Sequence, residues 1–119
     1  MVVKIKEIVK YNGHSVKANG SFDLNFKAMY SELTNSMQVL QLLNNDVTIV
    51  AKPAGSKAIK LGVFRVKNVK FDGDGESFLY FNSISDHVEM DNVNSIIGSD
   101  EFQIMMSADI EEEENNEGE

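Results

Sequence analysis

Cysteine and tryptophan are absent from this chain of 119 residues, and proline occurs once, at Pro53. Without cysteine, the chain can form neither a disulfide framework nor a thiolate metal site. No apolar run approaches the roughly 20 residues that span a bilayer, and the opening MVVKIKEIVK lacks the apolar block of a signal peptide. The length fits one domain. We therefore expect a single-domain cytoplasmic protein that does not enter a membrane.

Lysine and arginine are absent from residues 71–119, which carry 15 acidic residues. Residues 1–70 carry all 11 lysine and arginine residues and four acids, a net charge of +7 in a chain whose total is −8. Partners respond to local potential more than to total charge, so this division is compatible with an anionic partner. The alternative is that basic strands and acidic loops are each simply solvated. The last stretch, Glu111–Glu119, is too polar to bury and is predicted to be a disordered acidic tail.

Motifs typical of enzymes are also missing. The sequence has no nucleophile elbow, phosphate-binding loop or dinucleotide fingerprint, and His14 and His87 fall in separate turn-like regions. The acidic run Asp72–Glu76 is similar to the start of a calcium loop. Such a loop, however, needs glycine at its sixth position and glutamate at its twelfth, where this chain has Ser77 and Ser83. We expect no enzyme activity, no cofactor and no metal site.

Alternation of apolar and polar residues predicts about seven strands, and one segment has a helical period. Asn-Gly pairs at Asn12-Gly13 and Asn19-Gly20 predict turns that join the first three strands. Glu7 and Ile8 interrupt the alternation of the first strand and predict a bulge or a bend near there. The predicted elements in chain order are strands Val2–Tyr11, Val16–Ala18 and Phe22–Ala28, a helix over Tyr30–Asn44, a strand over Asp46–Lys52, a hairpin over Lys57–Asn82, a loop with a short helix over Asp86–Gly98, and a last strand over Glu101–Ile110.

This order predicts a mostly β fold with one α-helix. Three strands in a meander, a helix and then a long curved hairpin match the order of an OB-fold, a small partly open barrel. An α+β roll or a β-sandwich fits nearly as well. The predicted domain covers residues 1–110, and the tail covers residues 111–119.

The hairpin combines cations with aromatic rings. Its turn is the run Asp72-Gly73-Asp74-Gly75, because Asp-Gly pairs between apolar strands favour tight turns. Cations that hold a phosphate backbone, together with rings on which bases stack, are what a groove for single-stranded nucleic acid needs. The hairpin carries Lys57, Lys60, Arg65, Lys67 and Lys70 with Phe64, Phe71, Phe78, Tyr80 and Phe81.

The aromatic rings of the second hairpin strand are predicted to lie on two opposite sides, because alternate residues of a strand point in opposite directions. Leu79 and Phe81 fit the core, whereas Phe78 and Tyr80 share the other side of the strand. Tyr80 is therefore the first candidate for base stacking, followed by Phe64 and then Tyr11, with core packing as the alternative for each ring. The complete predicted nucleic-acid site is Lys4, Lys6, Lys10, Tyr11, Lys52, Lys57, Lys60, Phe64, Arg65, Lys67 and Tyr80.

A short β-rich chain with a helix after its third strand, a basic body and the acidic ending EEEENNEGE resembles the small single-stranded DNA-binding proteins of lactococcal and related phages. The resemblance covers the whole chain. It lies in the order of the predicted elements and in the distribution of charge, and not in a sequence motif. It implies an OB-fold, a homodimer or higher homo-oligomer, and location in the host cytoplasm. It also implies a tail, represented by Glu111, Glu112, Glu113 and Glu114, that docks replication or recombination proteins. The chain departs from the bacterial pattern of an apolar final residue, since it ends Glu117-Gly118-Glu119.

Two functions follow as hypotheses. The first is sequence-tolerant binding of single-stranded DNA in phage replication or recombination, with the acidic tail modulating binding or docking partners. The second is an acidic inhibitor or adaptor that binds a host protein and imitates DNA. Its working surface would be Asp72, Asp74, Asp86, Glu89, Asp91, Asp100 and Glu101.

Overall fold

The computed structural model describes residues 2–29, 36–53, 55, 57–99 and 101–109. Six strands form an antiparallel sheet in the order β1-β2-β5-β4-β3-β6, and β6 pairs with β1, so the sheet closes into a ring. The strands are β1 Val2–Val16, β2 Ser21–Met29, β3 Asp46–Lys52, β4 Ile59–Phe71, β5 Glu76–Ile84 and β6 Phe102–Asp109. Helix α1, Ser36–Gln41, precedes β3, and helix α2, Met90–Ser95, precedes β6. The prediction of a mostly β fold is confirmed.

The prediction of seven strands is wrong at Asn12-Gly13. This pair does not turn the chain, and β1 continues through it to Val16. The pairing of β1 with β2 shifts between Tyr11 and Gly13, so the pair forms a bulge, and the φ of +138° at Gly13 is one that glycine tolerates. The predicted turn at Asn19-Gly20 is confirmed, because Ser21 begins the next strand.

Of the predicted bulge or bend near Glu7 and Ile8, a bulge does not occur at these two residues. The pairing of β1 with β6 runs without a shift from Val2 opposite Asp109 to Val9 opposite Phe102. The Glu7 side chain points into the ring and is 2% exposed, whereas Ile8 points outward and is 37% exposed. The strand keeps its geometric alternation, and the two side chains simply occupy the faces opposite to those that their polarity suggests.

Strands β1 and β4 each belong to two halves of the ring. The first part of β1 pairs with β6 and its last part with β2, while the first part of β4 pairs with β3 and its last part with β5. Strands that pass from one half of a closed sheet to the other must bend, and bulges supply such bends. Register shifts occur where β4 meets β3 at Ile49/Val50 and where it meets β5 at Val66/Asn68. The apolar pattern of β4 loses its period of two at Phe64 and Val66, which predicts a sharply bent strand, and these register shifts confirm it.

Large apolar side chains fill the interior of the ring. Phe22, Phe26, Phe64 and Phe81 are at most 1% exposed, and their rings meet edge-on or tilted at centroid distances of 5.9 to 6.4 Å. Aromatic pairs favour such angles because the positive edge of one ring meets the negative face of the other. The side chains that alternate with this core along each strand point outward, and they form the surface on which function can be sought.

The predicted helix over Tyr30–Asn44 is confirmed only over Ser36–Gln41, because residues 30–35 lie outside the described residues. The helical period of this segment predicts that Leu40 and Leu43 face the core, but Val39 and Leu42 are the buried residues, and Leu40 is 36% exposed. The pair Asn44-Asn45 predicts a left-handed helix end, which is confirmed by the φ of +66° at Asn44. Its amide donates to the carbonyl of Val66 at 2.8 Å, which ties this turn to β4.

The segment after β5 packs on the first part of β4. A 3-10 turn over Ser85–His87 leads to Val88, which bridges to Gly62, and the amide of Glu89 donates to the Leu61 carbonyl at 2.9 Å. Helix α2 then buries Val93, and Ile96 beyond it is also buried. No helix within the described ranges is long and apolar enough to cross a bilayer.

Candidate nucleic-acid interface

Two aromatic rings lie side by side on the outer surface of β5. Ser77, Leu79 and Phe81 point into the ring and are buried, so the alternate residues Phe78 and Tyr80 point outward. The Phe78 and Tyr80 rings are 6.4 Å apart between centroids and only 26° from parallel. Both side chains are half-buried, which leaves part of each ring accessible for stacking.

Lysines flank Phe78 in register. Lys70 on β4 and Lys27 on β2 pair with Phe78 from either side, and Lys10 on β1 pairs with Lys27. A row of side chains thus runs outward across four neighbouring strands in the order Lys10, Lys27, Phe78 and Lys70. We name Lys10, Lys27, Lys70, Phe78 and Tyr80 the aromatic face.

Two of these lysines have neighbours that fix them. The ammonium of Lys70 lies 5.9 Å from the centre of the Phe78 ring, a cation–π distance. The Lys27 ammonium lies 2.8 Å from the Glu76 carboxylate, with which it forms a partly exposed ion pair. The positive potential of the row is therefore reduced at Lys27, and a phosphate would compete with Glu76 for it.

Amide side chains flank Tyr80. Asn25 on β2 and Asn68 on β4 pair with Tyr80 from either side, and Asn68 is exposed. An amide carries both donors and an acceptor, so these two side chains can hydrogen-bond any base edge next to a stacked ring. The row of Asn25, Tyr80 and Asn68 can thus stack and hydrogen-bond bases. The row that contains Phe78 adds lysines that can bind phosphates.

A groove of about 340 Å³ continues the aromatic face along β4 and β5. The groove lies next to Tyr80, because Asn82 follows on the same side of β5 and pairs with Arg65. The Arg65 Nε donates to the Asp46 carboxylate at 3.1 Å in an exposed ion pair. Besides these residues the lining includes Lys67, His87 and Ile84. The predicted site residues Arg65 and Lys67 therefore lie beside Tyr80.

Phe64 borders the groove but presents no exposed ring to it. Its side chain is 1% exposed and packs against Phe22 and Phe81, so the prediction of Phe64 as a stacking ring is wrong. The cause is the re-phasing of β4, which turns both Leu61 and Phe64 inward although they are three residues apart.

Tyr11 also lies away from the aromatic face. The side chain is partly buried against the core, and its hydroxyl lies 2.6 Å from Nδ1 of His14, whose ring stacks on Phe22. Burial raises the pKa of the Tyr11 phenol above its ordinary value of 10.0, and a backbone hydrogen bond at His14 offsets part of this rise. Regular alternation along β1 places Tyr11 on the inward side of the strand with Ile5 and Val9.

The remaining predicted lysines lie on the other half of the ring. Lys4 and Lys6 are on the part of β1 that pairs with β6, Lys52 is on β3, and Lys60 is on the part of β4 that pairs with β3. Lys57 is exposed just before β4. The predicted cations therefore form two groups and not one strip, and the tail residues Glu111–Glu114 lie outside the described residues.

The predicted nucleic-acid site lacks Lys27, Lys70 and Phe78. The outward alternation shared with Tyr80 points to Phe78, and the short acidic turn before β5 sets the pairing of Lys70 with Phe78. In that turn the Asp72 amide donates to the Glu76 carbonyl at 3.0 Å, and the Asp72 carboxylate accepts the amides of Asp74 and Glu76. No signal in the sequence indicates that β2 places Lys27 against β5.

The acids proposed for a DNA-mimicking surface are also divided. Asp72 and Asp74 lie at the tip of the β4–β5 hairpin, whereas Asp86, Glu89 and Asp91 lie around α2, next to Gly62. Nine residues of β4 lie between Gly62 and Asp72, a span of roughly 30 Å for an extended strand. Asp100 is outside the described residues. Among the described residues, no group of three or more metal-binding side chains is placed to hold an ion.

Neither a protein-family model, nor a curated protein, nor a solved structure matches this chain. The function is therefore argued from the geometry of the aromatic face.

Proposed function

We propose that this protein binds single-stranded DNA with little regard to sequence, and that the aromatic face is the binding surface. The observation that carries the proposal is the pair of outward, nearly parallel rings of Phe78 and Tyr80, with lysines in register on both sides of Phe78. Rings stack any base, and lysines hold any phosphate, so this combination supports binding without base-specific readout.

The shape of the sheet supports the same proposal. We interpret the closed ring as an OB-fold-like small barrel, whose curved outer surface presents side chains from neighbouring strands to an extended strand. The ring differs from the five-stranded OB-fold in having six strands, all paired antiparallel. The likeness therefore concerns size, closure and the use of a strand surface, and it does not extend to strand order.

The acidic tail has two roles in this proposal. Glu111–Glu114 compete with phosphates for the lysines, and they offer an anionic segment to replication or recombination proteins. A chain without residues 111–119 should therefore bind DNA more tightly at low salt, and the gain should vanish as salt screens the charges. Assembly as a homodimer or higher oligomer in the host cytoplasm belongs to the same proposal.

Fluorescence anisotropy of a labelled oligothymidine at low salt tests the binding. Stacking contributes about 1–3 kcal/mol per base, so Phe78→Ala and Tyr80→Ala should each weaken binding by roughly 5- to 150-fold. Tyr80→Phe keeps the ring and should bind like the unaltered protein. Tyr11→Phe, which alters a tyrosine away from the aromatic face, is the matched control and should also bind normally.

Two results would reject the proposal. One is the absence of any oligothymidine binding by the unaltered protein at low salt. The other is normal binding by the double variant Phe78→Ala/Tyr80→Ala, because a surface that does not need its rings is not a stacking surface. Circular dichroism of each variant verifies that the ring of strands has formed.

A further inference from the structure

A second basic surface lies on the half of the ring formed by β6 and β3 with the first parts of β1 and β4. Its central row runs across these four strands in the order Lys6, Met105, Val50 and Lys60. Lys4 and Lys52 lie in the rows on either side of this one. We name Lys4, Lys6, Lys52 and Lys60 the lysine face.

The lysine face and the aromatic face point in different directions. In the ring order β1-β2-β5-β4-β3-β6, the pair β3 and β6 stands opposite the pair β2 and β5. Outward side chains of β3 and β6 therefore point in the direction opposite to that of the outward side chains of β2 and β5. A single extended strand that lies on the aromatic face does not reach the lysine face unless it turns around the molecule.

The two surfaces have related layouts and different chemistry. Each has a row in which lysines flank apolar side chains, but the outward residues of β6 and β3 include no aromatic ring between Gln103 and Ser107 or between Thr48 and Lys52. No ion pair between described residues involves Lys4, Lys52 or Lys60, whereas Lys27 on the aromatic face is paired with Glu76. The lysine face thus offers charge without stacking.

From this arrangement we infer that the lysine face binds a second segment of single-stranded DNA through its phosphates alone, so that one molecule bridges two segments on opposite sides of the ring. The inference rests on the proposed function, because the first segment is the one held by the aromatic face. Lys6 and Lys60 are separated by three strand spacings, about 14 Å, a span that a run of several phosphates covers. Binding there should be weaker than on the aromatic face and more sensitive to salt.

A capture experiment measures bridging. Beads carry a biotinylated oligothymidine, the protein is added, and a second, fluorescent oligothymidine is captured only when one assembly holds both strands. Two oligothymidines cannot pair with each other, so capture reports the protein alone. The test variant is Lys4→Gln/Lys6→Gln/Lys52→Gln/Lys60→Gln, and the matched control replaces the same four lysines by arginine, which keeps every charge.

We expect the unaltered protein and the arginine control to capture the second strand. At protein concentrations at which the chain is monomeric, the glutamine variant should capture at least tenfold less, while its anisotropy titration with a short oligothymidine changes by no more than about threefold, because the aromatic face is intact. The slope of the logarithm of capture against the logarithm of salt concentration (the salt slope) should become shallower by roughly 0.7 for each lysine removed. A smaller variant, Lys52→Gln/Lys60→Gln, should show a partial loss if the larger one does not fold.

Capture that is unchanged in the glutamine variants would overturn the inference, and bridging would then come from oligomers that each hold a strand on the aromatic face. Absence of capture by the unaltered protein would also overturn it. Failure of the proposed function appears elsewhere, in the anisotropy titration, as absent binding or as indifference to Phe78→Ala/Tyr80→Ala. The two failures are therefore distinguishable.

Discussion

The ammonium of Lys70 lies 5.9 Å above the centre of the Phe78 ring, the residue that faces it across β4 and β5. The contact holds a positive charge beside a surface on which a base can stack, so one cross-strand pair supplies both parts of a nucleotide contact. An exposed cation–π contact contributes only about 0.5–1 kcal/mol to stability. The pair therefore matters more for binding than for folding.

Replacement of Lys70 by glutamine tests this division. Lys70→Gln should reduce the salt slope of oligothymidine binding by roughly 0.7, the value for one phosphate contact on a single strand. It should change the free energy of unfolding by no more than about 1 kcal/mol. Lys70→Arg keeps the charge and should keep the slope. A glutamine variant with the original slope would show that Lys70 does not contact phosphate.

Gly62 provides a test of how α2 is attached to the ring. A Cβ at this position would lie 2.3 Å from the His87 carbonyl oxygen and 2.9 Å from the Val88 Cα, and the φ of +136° disfavours any other residue. Gly62→Ala should therefore reduce the free energy of unfolding by roughly 2–4 kcal/mol, measured by urea denaturation.

Two other glycines separate the causes of that effect. Gly13→Ala meets no atom within 4 Å but has a φ of +138°, so it should lose about 1 kcal/mol through backbone strain alone. Gly73→Ala meets no atom within 4 Å and should stay within about 0.5 kcal/mol of the original stability. Equal losses at Gly62 and Gly13 would contradict the close approach of Val88 to β4.

Sequence patterns were sufficient for the β4–β5 hairpin and for the outward position of Tyr80. Both depend on local physics, namely turn chemistry and the period of two along one strand. They were insufficient for Phe64, because the apolar pattern shows that β4 changes phase there but does not show which side of the sheet the Phe64 ring takes. They were also insufficient for Glu7, since nothing local indicates that a glutamate takes an inward position in an otherwise regular strand.

The arrangement of the cations cannot be predicted from the sequence, for a different reason. Lys27 joins Phe78 because β2 pairs with β5, a contact between residues 51 positions apart that depends on the closure of the whole ring. Lys6 and Lys10 belong to one strand with one alternation, yet Lys6 lies beside β6 and Lys10 beside β2. A strand that passes between two halves of a ring separates residues that its sequence groups together.

The partly buried phenol of Tyr11 predicts a loss of stability at alkaline pH. Burial raises the pKa of Tyr11 in the folded protein above 10.0, its value in the unfolded chain. Between these two values the unfolded chain releases the phenolic proton and the folded protein keeps it, so rising pH favours unfolding. The stabilising contribution of Tyr11 is thus complete below pH 10 and declines above it. Urea midpoints measured from pH 8 to pH 11 should fall above pH 10.

Tyr11→Phe removes the titrating group and should make that decline shallower. Identical alkaline profiles for Tyr11→Phe and the unaltered protein would mean that the Tyr11 phenol ionises equally readily in the folded and unfolded states.

The ion pair between Lys27 and Glu76 predicts a variant that binds DNA more tightly than the original. The two groups are 2.8 Å apart, and Glu76 holds a charge that the aromatic face would otherwise offer to phosphate. Glu76→Gln should therefore tighten oligothymidine binding at low salt. A partly exposed pair is worth up to about 1 kcal/mol, so the gain should reach at most about fivefold and should disappear at high salt.

Two further variants distinguish local release of Lys27 from a general change in charge. Glu89→Gln removes the same charge from an exposed position near α2, away from the aromatic face, and should give a smaller gain. In the double variant Glu76→Gln/Lys27→Gln the gain should be lost, because the lysine that Glu76 restrains is no longer there. Additive effects of the two substitutions would instead show that Glu76 acts on DNA independently of Lys27.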